Sequence, residues 1–202
     1  MDNQIYNPDF YIKPMYKVLN YIRGATRLDL PILSNSDWII QLKFMYEVYG
    51  GGVFFGYLDS SGDESGINYR FFSASGKWYF DLYSASSYRL YGGTVSTSTI
   101  YNFELGNRYV KDLDSGSYIL GSSSTSKATN FSSTKTMWLF QDSDYGRCYS
   151  IKAYMNEVLR YNFIPTKRIS DNSLGLYDKV TKKFYTTSNL VAGNETGEII
   201  YG

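Results

Sequence analysis

"LGLYDKVTKKFYTT", residues 174–187, is the most sharply patterned stretch of the chain. Apolar and aromatic residues lead into a polar bend at Asp178 to Lys183, and Phe184-Tyr185 leads out again. Two such runs around a turn predict a β-hairpin. Leu174, Leu176, Phe184 and Tyr185 are expected to serve as core and cross-strand packing. The stretch holds nothing that could cut, transfer or ligate a substrate.

Upstream, "WIIQLKFMY" (38–46) alternates, with Trp38, Ile40, Leu42, Phe44 and Tyr46 on one face, the pattern of a strand with one buried side. The run Gly50-Gly51-Gly52 ends it and "VFFGYLD" begins another. "INYRFFSA" and "GKWYFDLYS" meet at Ser75-Gly76, a compact hairpin signal. "SYRLYGG", "STIYNFEL", "RYVKDL" and "SYILGS" follow, each bounded by Gly, Ser, Asn or Asp. Residues 122–136 read as a Ser/Thr-rich loop crossing between sheets. "TMWLFQD" and "RCYSIKAYM" are two further strands, and "VLRYNFIP" is expected to stop at Pro165. About a dozen short strands without an amphipathic helix predict an all-β fold, a two-sheet antiparallel β-sandwich. Trp38, Trp138 and Phe140 are expected to be buried in it.

Composition agrees and excludes much chemistry. The 202 residues include 22 Tyr, 12 Phe and 18 Gly, which favours strands joined by tight turns. That length suits a single core. A net charge of +1 and a pI near 7.6 give no footprint for nucleic acid. With no histidine and a single cysteine, Cys148, serine–histidine and cysteine–histidine catalysis, an intrachain disulfide and a thiolate metal cluster are all excluded. Cys148 reads as a small buried hydrophobe. No run approaches the ~18 apolar residues of a membrane span. The start, "MDNQIYNPDFYIKPMYKVLNYI", shows no signal peptide, so synthesis in a cytoplasm is expected.

Residues 146–187, "GRCYSIKAYMNEVLRYNFIPTKRISDNSLGLYDKVTKKFYTT", resemble a C-terminal signature of concanavalin A-like, laminin-G-like jelly-roll domains. These occur in bacterial surface proteins and bacteriophage virion proteins. In that family "YSCKIYDNG" is followed by "LVRDFIP" and then "GLYDLVNGKFYTN". Here "CYSIKAYMNEV", "LRYNFIP" and "LGLYDKVTKKFYTT" stand in the same order. Residues 16–32 resemble the family's opening strand pair, and "VFFGYLD" its "YFFGA" strand. The family's Asn-Gly turn is replaced by Thr181-Lys182, which a turn opened by Asp178 can still close. The resemblance implies a jelly roll and leaves the function to loops and sheet faces.

Two segments are assigned. Residues 1–15, with Pro8 and Pro14, read as an extended arm whose Ile5, Tyr6, Phe10, Tyr11 and Ile12 need covering by a partner, by sister chains or by the sandwich itself; residues 16–202 are expected to form the sandwich. Glycosidase chemistry needs paired carboxylates. Glu47, Glu104, Glu157, Glu195 and Glu198 are scattered, none beside an acid two residues on in a strand, so no catalytic residue is assigned. Asp59, Asp63 and Glu64 in "DSSGDESG", and Asp142 and Asp144 in "QDSDYGR", read as turns, so no metal and no cofactor are expected. The candidate ligand contacts are Tyr88, Arg89 and Tyr91 in "SASSYRLYGG", with Asp142, Asp144, Tyr145 and Arg147 in "DSDYGR". Tyr rings offer rigid contact area, and Asp or Arg bonds sugar hydroxyls.

The reading is a non-enzymatic structural or adhesive virion protein of the head- or tail-fibre type, docking by residues 1–15 on other virion proteins and presenting the sandwich to a cell-surface glycan. The resemblance further implies a homo-oligomer, a trimer. Neither nucleic acid nor membrane insertion is expected. The alternatives are a secreted or cell-surface carbohydrate-binding module and a glycoside-active enzyme.

Overall fold

The structure is a computed structural model and describes residues 13–24, 26–47, 53–58, 68–83, 88–122, 124, 132–140 and 146–201. Among them are eighteen strands and no helix. In chain order these are β1 (Pro14–Leu19), β2 (Ile22–Gly24), β3 (Leu28–Asn35), β4 (Trp38–Tyr46), β5 (Val53–Leu58) and β6 (Asn68–Ala74). β7 (Lys77–Tyr83), β8 (Tyr88–Gly92), β9 (Ile100–Gly106), β10 (Tyr109–Asp112), β11 (Tyr118–Gly121) and β12 (Ser132–Leu139) follow. The last are β13 (Gly146–Met155), β14 (Val158–Arg168), β15 (Leu174–Asp178), β16 (Lys183–Thr186), β17 (Val191–Ala192) and β18 (Glu195–Tyr201).

All pairings are antiparallel and build two sheets, a β-sandwich. The smaller has six strands in the order β3-β12-β5-β6-β7-β8. The larger has twelve, on the path β11-β10-β9-β4-β13-β14-β1-β18, with β15, β16, β2 and β17 branching from it. The sheets face one another through alternate side chains. On β4, Ile40, Leu42, Phe44 and Tyr46 are fully buried, and across the gap lie Phe54, Phe71, Trp78 and Phe80. Phe44 is the hub, its ring centroid 4.9 Å from Phe54 and 5.6 Å from Phe71, Trp78 and Phe103. Burying each such ring contributes about 1.5–3 kcal/mol, and the edge-to-face geometry adds a little more.

The opening hairpin forms β15 and β16, pairing Leu176 with Tyr185 and Tyr177 with Phe184. Leu176 is buried in the core, with Leu174 and Tyr185 packed against it. Phe184 belongs to the other face, beside Tyr16 at 5.3 Å and under the Arg168 guanidinium, which corrects its expected core role. The turn is closed by Asp178. Its carboxylate accepts from the N–H groups of Val180 and Thr181 and from the Thr181 hydroxyl, while its carbonyl accepts from Lys182 N–H at 2.9 Å. Lys182 takes φ 61°, the left-handed conformation that glycine adopts without strain.

Three other expectations change. Pro165 does not stop its strand: β14 continues to Arg168. Asn162 N–H donates to Asp178 Oδ1 and its carbonyl accepts from Lys179, so by alternation Pro165 turns its backbone the other way. There β14 passes from β13, last paired at Phe163, to β1, first paired at Thr166, so the missing N–H breaks no rung. The crossing loop is shorter than expected, because β12 begins at Ser132. β1 begins at Pro14, inside the expected arm, with Pro14 opposite Tyr201. Trp138 is buried as expected, at 2% exposure, on the outer face, while its neighbours Met137 and Leu139 join the core cluster. Trp38 and Phe140 are buried as expected, and Cys148 is a fully buried core residue whose thiol pKa burial pushes up.

Candidate functional site

Gly76 and Ser75 both take positive φ, so a two-residue turn joins β6 to β7 and sets Ala74 opposite Lys77. That register places Phe72 opposite Tyr79 and Arg70 opposite Asp81. On the next strand, β8, Tyr91 lies opposite Tyr79 and Arg89 opposite Asp81. Two parallel rows therefore cross β6, β7 and β8 on the outer face of the six-stranded sheet, about 7 Å apart at two residues per step.

The first row is aromatic. Phe72 and Tyr79 stack at 5.0 Å with 17° between planes, and Tyr79 and Tyr91 at 6.1 Å with 18°. Exposure rises along it, from buried Phe72 through half-buried Tyr79 to Tyr91 at 65%. The second row is ionic. Asp81 has no exposed surface, and Arg89 donates to it through Nε at 2.6 Å and Nη2 at 2.8 Å. Arg70 donates through Nε at 2.7 Å. Each guanidinium also lies over a ring of the first row, Arg70 over Phe72 at 4.6 Å and Arg89 over Tyr79 at 5.5 Å. The ionic row continues across the sheet through Gly56 and Trp138 to Asp29, with Arg27 lying 4.1 Å from the Trp138 ring centre.

Of the expected contacts, the structure brings Arg89 and Tyr91 together here. Tyr88 is described by its backbone, opposite Leu82. Arg147 lies elsewhere, in the larger sheet, where Glu47 accepts from its Nε at 2.6 Å and from Arg23 Nη1 at 3.1 Å. It also covers Tyr21 at 4.5 Å. Burial alone would lower the Arg147 pKa; the hydrogen bond and charge of Glu47 outweigh it, and the net shift is upward. Asp142, Asp144 and Tyr145, the turn acids Asp59, Asp63 and Glu64, and the arm residues Ile5, Tyr6, Phe10, Tyr11 and Ile12 lie outside the described residues.

Phe72, Tyr79, Arg70 and Asp81 were missed as site residues. The signal was present: a two-residue turn at Ser75-Gly76 dictates that positions summing to 151 face each other, here 70 with 81 and 72 with 79. The remaining carboxylates with partners are structural. Glu104 accepts from Tyr109 at 2.8 Å and Gln41 at 3.0 Å, and Asp178 closes its turn. Among the described residues no three acids or thiols converge as metal ligands. An open groove of about 490 Å³ between Trp38, Met155, Leu159, Tyr161 and Val180 is largely apolar.

The fold and this face define the class: a β-sandwich with a stacked-tyrosine and arginine surface on its smaller sheet. Compared with known proteins, the chain matches no family model, no curated protein and no solved structure.

Proposed function

We propose that this chain is a non-enzymatic recognition module that binds saccharide on the outer face of its six-stranded sheet. The observation that carries the reading is the stacked Phe72–Tyr79–Tyr91 row, opening to solvent at Tyr91 beside Arg89. A ring held parallel to its neighbour and 65% exposed offers a flat apolar platform to a sugar ring, and a guanidinium two residues away offers donors to its substituents. The engaged state of Asp81, Glu47 and Glu104 supports recognition without turnover, because each carboxylate is already committed to donors from the chain itself.

The resemblance of residues 146–187 to jelly-roll domains of phage virions supplies the setting. In this reading the chain is a structural and adhesive virion component of the fibre type, a homotrimer docking through residues 1–15. Binding to an immobilised oligosaccharide panel, without product release, tests the module. Tyr91→Ala is expected to lose at least ten-fold in affinity with an unchanged melting temperature. Hydrolysis of any panel member, or unchanged binding by Tyr91→Ala, overturns the proposal.

A further inference from the structure

Resting on that saccharide reading, we infer that the face selects an anionic saccharide, one whose oxyanion is taken by the cations flanking the Tyr79–Tyr91 platform. Among the described residues of β6, β7 and β8, this face carries Arg70, Lys77 and Arg89 against one carboxylate, Asp81. Lys77 is exposed and shares its face with Tyr79 and Asp81 by strand alternation. Arg89 is 44% exposed in its side chain, while Asp81 is wholly covered. Among the described residues, a ligand reaching this surface therefore meets cations and rings, and no carboxylate oxygen.

Position matters as much as sign. Tyr79 lies between Lys77 on one side along β7 and the Arg89–Asp81 pair on the other. A sugar ring seated on Tyr79 and Tyr91 has a cation about 7 Å from the platform centre in either direction. That matches the reach of a carboxylate or phosphate substituent on the ring. Asp81 contributes by holding Arg89 and Arg70 in fixed orientation through both oxygens, which spares the ordering cost of a mobile guanidinium. Asp81 is thus a positioning residue, and Arg89 and Lys77 are the contacts.

Carboxylate and phosphate present the same chemistry, so the test carries both. The full chain is titrated with oligogalacturonate, with its carboxyl-reduced neutral counterpart, and with a phosphorylated oligomannose. At least one anionic probe is expected to bind ten-fold or more tightly than the neutral one, with affinity falling as salt rises. Arg89→Gln and Lys77→Gln should each erase most of that preference, read as the ratio of anionic to neutral affinity, and Arg89→Lys should restore part of it. Should Arg89→Gln fold poorly, the double variant Asp81→Asn with Arg89→Gln removes the buried carboxylate together with its partner and carries the test. Equal binding of neutral and anionic probes, or a preference untouched by both substitutions, overturns the anion inference and leaves the saccharide reading standing. Binding of none of the three probes, and of nothing on the neutral panel, overturns both.

Discussion

Asp81 faces outward from the six-stranded sheet yet has no solvent exposure, because Arg70 and Arg89 close over it from the strands on either side. A covered carboxylate depends on its partners. Arg70→Met leaves Arg89 as its cover and is expected to destabilise the fold by about 3 kcal/mol, the lower end of the cost of breaking a buried pair. Replacing Asp81 by leucine in the same chain should recover most of that loss, since no charge is then stranded. Urea denaturation reads both. A single-variant loss below about 1 kcal/mol would show that the triad behaves as an exposed ion pair.

The outer-face tryptophan gives a second test. Trp138 is 2% exposed, held between Tyr57 at 5.1 Å and the Arg27 guanidinium, and its indole N–H has no hydrogen-bond partner among the described residues. Trp138→Ala should cost about 3–5 kcal/mol despite the residue's lying outside the core. Trp138→Phe should cost far less, because it also removes a buried unpaired donor. Equal losses for the two would mean that ring area alone is not what stabilises this site.

In the β15–β16 hairpin, Asp178 closes the turn with its carboxylate and Lys182 occupies the left-handed conformation. Lys182→Gly should therefore raise stability by about 1 kcal/mol, since a side chain in that conformation costs about 1–2 kcal/mol. Asp178→Ala should lower it by about 1–3 kcal/mol, because the part-buried N–H groups of Asn162, Val180 and Thr181 lose their acceptor. A destabilising Lys182→Gly would indicate that the freedom glycine gains in the unfolded chain outweighs the strain relieved.

These hairpins explain how much of the molecule was legible. The alternation of Trp38 to Tyr46, the Ser75-Gly76 turn and the Asp178 bend each fix a face or a register locally, and the strands around them fell where the pattern put them. What escaped depends on neighbours. β18 is exposed along nearly its whole length, so its residues carry no alternation, and it is a strand only because β1 pairs with it. Pro165 reads as a stop until one knows that the ladder there has a gap. Arg89 and Tyr91 were legible as polar and aromatic residues in a glycine-bounded segment, but Asp81, eight residues before Arg89, joins them only through the β7–β8 register.

Acid sensitivity follows from two surface clusters. Asp171 accepts from Arg168 at 2.5 Å and 3.0 Å and from Ser173 N–H, which holds its carboxyl well below the usual range. Glu195 is lowered by Lys167 at 2.7 Å and Lys17 at 3.0 Å. A folded-state pKa below the unfolded one stabilises above the unfolded value, and that contribution disappears as pH falls through the folded value. Melting temperature should therefore drop from about pH 5 downward. The variant Asp171→Asn with Glu195→Gln should start lower at pH 7, with its gap to the wild type narrowing as pH falls below about 4. Parallel curves across that range would remove these clusters from the pH response.

The last prediction concerns the boundary between arm and sandwich. Pro14 pairs with Tyr201, the Met15 carbonyl accepts from Ile169 N–H at 2.9 Å, and Tyr16 is buried against Tyr177 at 4.8 Å. The chain is thus tied into the larger sheet from residue 14, before the position at which composition places the end of the arm. Deleting residues 1–12 is expected to leave a folded chain with a melting temperature within a few degrees of the full length. Deleting residues 1–16 removes the Tyr16 ring and the first rungs that β1 makes with β18 and β14, and should cost about 3 kcal/mol or more, on the scale of truncating a buried aromatic. On the proposed virion reading, folding and attachment are then separable: the shorter deletion, still folded, should fail to incorporate into a particle if residues 1–12 dock it. Normal incorporation would move the docking surface onto the sandwich, and unfolding of the shorter deletion would make those residues part of the fold itself.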